Sequence, residues 1–131
     1  MIKLPKIILV GIFSAIFPLS AQAMEFSIVD GGKKCSGCLI INADGGITKS
    51  TPDKFEKLLS SESLSSKRIV VVVMNSPGGS LWGGLELGQQ IRSRGFDTHI
   101  GKIEMTRTGE LNIIDGQCAS ACAYAFLGGK S

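Results

Sequence analysis

Two short segments of this 131-residue chain carry residue types that can do chemistry together. The first is Gly116-Gln117-Cys118-Ala119-Ser120-Ala121-Cys122-Ala123, where one hydroxyl, Ser120, is flanked only by small residues. Small neighbours allow close approach of a substrate, and N–H groups at a helix start stabilise negative charge. The same pattern also suits a capping serine in a tight helix contact. The second is Ser76-Pro77-Gly78-Gly79, between an apolar run and an expected helix. Paired glycines turn the backbone sharply and leave N–H groups uncovered, a geometry that holds an anion, although Pro-Gly-Gly is also an ordinary structural turn. Together the segments offer a hydroxyl open to close approach and backbone donors that can hold negative charge.

The elements that must position them follow from the apolar pattern. Residues 26–34 read as a short strand and a Gly-Gly turn, and Leu39-Ile40-Ile41-Asn42 as a compact strand closed by Asp44-Gly45-Gly46. Thr51-Pro52-Asp53 predicts a helix start, with the Thr51 hydroxyl capping free N–H groups and proline where no N–H is needed. Phe55, Leu58 and Leu59 give that helix one apolar face, and serines 60, 61, 63, 65 and 66 dissolve it. Residues 69–74 are six apolar residues, four of them valine, as expected for a strand covered on both faces. A helix is predicted over 81–94, with Leu81, Leu85, Gly88 and Ile91 along one side and Gly95 as its stop. Residues 97–100 read as a strand, 103–114 as a hairpin around Thr108-Gly109, and 118–127 as a small, buried helix ended by Gly128-Gly129. The resulting order, β-α-β-α-β-hairpin-α, predicts an α/β layered fold with mainly parallel strands, helices packed on them and a β-hairpin insertion.

The first 23 residues read as an export signal. Lys3 and Lys6 precede an apolar run over 7–17, and Ala21-Gln22-Ala23 supplies a small-x-small cleavage site before Met24. Eleven apolar residues fall well short of the roughly 20 that span a bilayer, so no membrane segment is expected after signal removal. Roughly 110 residues then remain, enough for one core and not two. Residues 24–38 form an N-terminal segment containing a Cys-x-x-Cys, and 39–131 an incomplete α/β domain. The expected location is the periplasm in a Gram-negative cell, or otherwise outside the cell. The chain has 14 basic and 11 acidic residues; with Lys3 and Lys6 in the leader, the mature chain is close to neutral, which argues against nucleic-acid binding. An oxidising compartment favours disulfides over a four-thiolate zinc site, so no metal or cofactor is expected, and four cysteines allow three pairings.

In combination, the two chemical segments resemble the ClpP/crotonase superfamily, and in particular its exported ClpP-like members. The run Val73-Met74-Asn75-Ser76-Pro77-Gly78-Gly79-Ser80, the helix ending Gly88-Gln89-Gln90-Ile91-Arg92-Ser93-Arg94-Gly95, and residues 116–129 match that pattern in order, over roughly 39–129. The resemblance implies a serine hydrolase or peptidase in which Ser120 is the nucleophile. It also implies an oxyanion hole from the Gly78-Gly79 turn and Ala121, and a peptide or protein substrate. Leu81 and Trp82 are candidates to line a substrate groove, although burial in the core is the favoured reading for both.

The general-base His and its Asp partner of ClpP-type enzymes come after the nucleophile, and no histidine follows Ser120 here. The one histidine, His99, lies on the strand before the hairpin and does not match that base; it reads as a half-buried or exposed strand residue. Three explanations arise: a fragment of a longer enzyme, which is the favoured one, a short inactive relative that binds peptides or partners, or a base supplied by a partner subunit. A fragment is expected to expose an apolar patch and, through it, to favour self-association.

In a parallel sheet the active-site loops gather at the strands' C-terminal ends. Cys38 precedes a strand and Ser120 lies near the opposite end, too far apart for one disulfide. Cys35 and Cys38 are therefore expected to pair locally, if at all, while Cys118 and Cys122 are either a disulfide in poor geometry or buried free thiols. A thiol-disulfide catalyst using Cys35 and Cys38 is a lesser alternative, because a strand rather than a helix follows the motif. Gly129-Lys130-Ser131 echoes the end of a phosphate loop, but Tyr124 stands where that loop needs its first glycine.

Overall fold

Valine-rich and isoleucine-rich segments without polar interruption become the inner strands, because β-branched side chains pack well on a sheet covered from both sides. In the computed structural model, which describes residues 22–62, 64 and 68–131, these are β2 (Cys38–Asp44) and β3 (Ile69–Asn75). They pair in parallel from Cys38 opposite Ile69 to Asp44 opposite Asn75. β1 (Glu25–Asp30) runs antiparallel along the outer side of β2, and β4 (Asp97–Ile100) runs parallel to β3, so the sheet order is β1-β2-β3-β4. The expected leader lies almost wholly outside the described residues, where only Gln22 and Ala23 remain of it. Met24 is fully buried in the main core.

Side chains alternate across the sheet and divide it into two cores. On one face Ile41, Ala43, Val72 and Met74 pack against α1 (Thr51–Ser61), α2 (Leu81–Arg94) and α3 (Ala121–Phe126), with Phe55, Leu87, Ile91 and Phe96 filling the layer. On the other face Ile40 and Val73 meet Leu111, Ile103 and Ile113. These last three come from an antiparallel hairpin, β5 (Lys102–Met105) and β6 (Leu111–Ile114), turning at Thr106–Gly109. The hairpin leaves and rejoins the fold at a tight crossing, where a Cβ on Gly116 would stand 2.7 Å from the Gly101 carbonyl carbon. This crossing delivers residues 117–120 over the end of β3.

Three sequence expectations need correction. The Thr51 hydroxyl does not cap α1; it accepts the Thr48 backbone N–H at 2.8 Å and closes the preceding turn, with Ser50 as N-cap and no side-chain cap bond. The serines do not end that helix at once, because Ser60 and Ser61 donate back to the Glu56 and Leu58 carbonyls and the helix runs through Ser61. Ser63, Ser65 and Ser66 lie outside the described residues. Finally, α2 has its predicted bounds, a Ser80 cap that accepts the Gly83 N–H at 3.2 Å, and its stop at Gly95, but of its expected face only Gly88 and Ile91 are buried. Gly83, Gly84, Leu87, Gly88 and Ile91 are buried, while Leu81 (53%), Trp82 (60%) and Leu85 are exposed. The reason is close backbone packing: a Cβ on Gly84 would overlap the Ala121 carbonyl, and one on Gly88 would stand 2.8 Å from the Tyr124 carbonyl oxygen. With α3 seated directly on these glycines, Leu81 and Trp82 lie outside the core. Among the described residues no helix is long and apolar enough to cross a membrane.

Candidate active site

The site is assembled where β3 ends. Asn75, its last residue, donates from Nδ2 to Asp44 Oδ2 at 3.3 Å and accepts the Gln117 N–H at Oδ1 at 3.0 Å. Ser76 then forms a parallel bridge with Cys118: its N–H donates to the Gln117 carbonyl at 2.7 Å, and its carbonyl accepts the Ala119 N–H at 3.1 Å. Three successive residues of the 117–119 segment are thereby fastened to the strand that leads into the diglycine bend.

The bend itself is held by a fully buried hydroxyl. Ser76 Oγ accepts the Gly78 N–H at 3.1 Å, and the Gly78 carbonyl accepts the Ile47 N–H at 2.8 Å. Gly78 (φ 99°) and Gly79 (φ 139°) occupy backbone conformations that side-chain-bearing residues rarely adopt. Their neighbours also leave no room: a Cβ on Gly78 would stand 2.6 Å from the Ala119 carbonyl oxygen and 2.9 Å from the Ser120 Cβ. Ser120 and the diglycine bend therefore lie in close contact.

Ser120 is the one non-glycine residue with positive φ among the described residues (φ 52°, ψ −119°). Such a setting costs of order 1–3 kcal/mol and persists only where the surroundings enforce it. It creates an elbow between the 117–119 segment and α3, so the helix begins at Ala121 rather than at Cys118 as expected. Ser120 is exposed, and its hydroxyl makes no capping bond. Two backbone donors near it have no acceptor among the described residues, the N–H of Gly79 and the N–H of Ala121. Gly78 does not offer its donor, because Ser76 Oγ already takes it.

Beside the bend runs a groove of about 360 Å³ between Ala23, Gly46, Ile47 and Thr48 on one side and Pro77, Gly78 and Gly79 on the other. Neither Leu81 nor Trp82 lines it. A larger cavity, about 700 Å³, lies at the opposite ends of the strands against Arg68, Ile69, Arg94 and Asp97, away from Ser120. His99 is exposed on β4 opposite Val73, and it lines a cavity with Val73 and Ile113 beneath the hairpin, on the face of the sheet that α3 does not cover.

Both cysteine pairs are disulfides, with Cα–Cα distances of 5.3 Å for Cys35–Cys38 and 5.1 Å for Cys118–Cys122, so none of the four cysteines is free. Cys38 lies level with Ile69, and Cys118 with Ser76, seven residues further along β3. That is roughly 23 Å at strand rise, and it enforces local pairing. Cys38 opens strand β2, with no helix at the motif.

The sequence missed the roles of Ser76 and Asn75. A polar pair at the end of a valine run, just before Pro-Gly-Gly, was the available signal. No protein-family model, curated protein or solved structure matches the chain.

Proposed function

We propose that this chain carries the nucleophile and oxyanion-binding half of a serine hydrolase site of the ClpP/crotonase type, directed at the carbonyl of a peptide. The observation that carries this reading is the elbow at Ser120, held at positive φ with its Cβ against the Gly78 backbone. An exposed hydroxyl at such a turn, beside two unengaged N–H groups, matches what acyl transfer needs. Ser120 Oγ bonds to the carbonyl carbon, the carbonyl π pair moves onto oxygen, and the N–H groups of Gly79 and Ala121 receive that charge. Each such donor is worth about 2.7–4 kcal/mol of transition-state stabilisation. Gly78 serves by its lack of a side chain, which lets Ser120 approach the bend.

The hydroxyl proton must leave to a base; His99 stands on the hairpin face of the sheet, so in this chain water takes the proton. Reaction of Ser120 in this chain alone is accordingly slow. The resemblance of residues 73–80, 88–95 and 116–129 to exported ClpP-like proteins supports the same reading, and two disulfides fit an oxidising compartment. Incubation with an excess of a fluorophosphonate probe tests it: slow labelling that maps to Ser120 and disappears in Ser120→Ala is expected. Labelling that survives the substitution, or its complete absence, overturns the assignment.

A second reading, a non-catalytic peptide-binding or assembly module, draws support from the exposed apolar residues Leu81, Trp82 and Leu85 on α2 and Tyr124 and Leu127 at α3. Self-association through that surface, in a chain that the fluorophosphonate probe does not label, would place it in this class.

A further inference from the structure

The two disulfides enclose different things. Cys35–Cys38 closes the connection between β1 and β2, whereas Cys118–Cys122 closes around Ala119, Ser120 and Ala121. We propose that Cys118 and Cys122 are positioning residues whose bond holds the Ser120 backbone at its positive φ and keeps the Ala121 N–H free to receive an oxyanion. The catalytic part of this role rests on the reading of Ser120 as nucleophile; the hold on the backbone does not.

Each sulfur is anchored in a different element. Cys118 bridges to Ser76 at the end of β3, and Cys122 is fully buried in the main core beside Ala121 and Ala125. The bond therefore ties the sheet to the helix layer across the elbow. Between the two cysteines, Ala119 is tied to Ser76 through its N–H and Ala121 is buried against Gly84, and the cross-link acts together with these contacts. Ala119 and Ser120 are exposed, and Ser120 makes no side-chain cap bond.

The competing conformation is identifiable. Residues four apart in an α-helix have Cα atoms roughly 6.2 Å apart, from the helical rise and radius, whereas Cys118 and Cys122 are 5.1 Å apart. Released from the cross-link, α3 can extend towards its N-terminus through two alanines and a serine. In that extension the Ala121 N–H would donate to the Gln117 carbonyl, which Ser76 now occupies. The same step would bring Ser120 to negative φ and satisfy the donor that an oxyanion needs. The cross-link opposes both changes.

The experiment compares the full chain with Cys118→Ala, which breaks the bond and leaves the buried Cys122 sulfur in place, and with Cys35→Ala/Cys38→Ala as control. Two readouts are taken: the Ser120 Cα chemical shift and HN–Hα coupling, which report φ, and the fluorophosphonate labelling rate at Ser120. Cys118→Ala should move Ser120 to helical values and slow labelling about tenfold or more, while the control keeps both. Cys118→Ser is the second variant, should the alanine version not fold. An unchanged Ser120 coupling in a folded variant overturns the proposal and leaves the hydrolase reading intact. A changed coupling in a protein whose parent never labels supports the hold on the backbone and overturns the hydrolase reading alone.

Discussion

At the scale of single residues, the site depends on groups that do no chemistry. Ser76 is buried and polar, and its hydroxyl satisfies the Gly78 N–H. Ser76→Ala leaves that donor without a partner and should cost about 1–3 kcal/mol, read as a lower midpoint in urea unfolding. His99 offers the converse case. Because it lies on the hairpin face, His99→Ala should leave the rate of Ser120 phosphonylation unchanged, and a marked fall would place it in the site after all. Asp30, an exposed residue at the end of β1, adds a small pH-dependent contribution. Its carboxyl lies below the ordinary 3.8, first because the Gly32 N–H bonds to it and then because the Arg68 guanidinium does. A lowered folded-state pKa means that its contribution is present above the unfolded value and is lost as pH falls through the folded one. Thermal unfolding followed against pH should show this acid-side loss, with a flatter limb for Asp30→Asn.

At the scale of elements, glycine decides the packing of α2. A Cβ on Gly84 would overlap the Ala121 carbonyl, so Gly84→Ala must push α3 outward and is expected to destabilise by about 1–3 kcal/mol, with loss of Ser120 labelling as the elbow shifts. This contact also explains what could be read in advance. The bounds of α2 were legible because Ser80 and Gly95 are strong local signals. Its buried face was legible only at Gly88 and Ile91, since hydrophobic periodicity counts Leu81 and Leu85 but passes over Gly83 and Gly84, which pack by their backbone. The strands expected at 39–42, 69–74 and 97–100 were legible for a similar local reason, as was the hairpin expected at 103–114. The start of α3 was missed by three residues, because a positive φ at serine comes from tertiary enforcement and leaves no mark in propensity. The local pairing of Cys35 with Cys38 followed from strand length. Which glycine of the bend offers a donor depended on the Ser76 hydroxyl, and residue type alone does not convey that.

At the scale of the molecule, one sheet separates two environments. The helix face carries Ser120 and the diglycine bend, and the hairpin face carries His99. The outer surface of α2 and α3 presents Leu81, Trp82, Leu85, Tyr124 and Leu127 to solvent. Trp82 is the only tryptophan, so its fluorescence reports this surface directly. In dilute solution the emission should resemble that of exposed indole and be readily quenched by iodide. A blue shift that grows with protein concentration would show the surface being covered by a second copy. The most direct test of the account is made at the site itself. Amide spectra of the chain before and after phosphonylation of Ser120 should show the N–H signals of Gly79 and Ala121 moving strongly downfield, as both donate to the phosphoryl oxygen of the adduct, with the Gly78 signal moving less. Unmoved Gly79 and Ala121 signals in a protein modified at Ser120 would contradict the claim that these donors and that hydroxyl share one site.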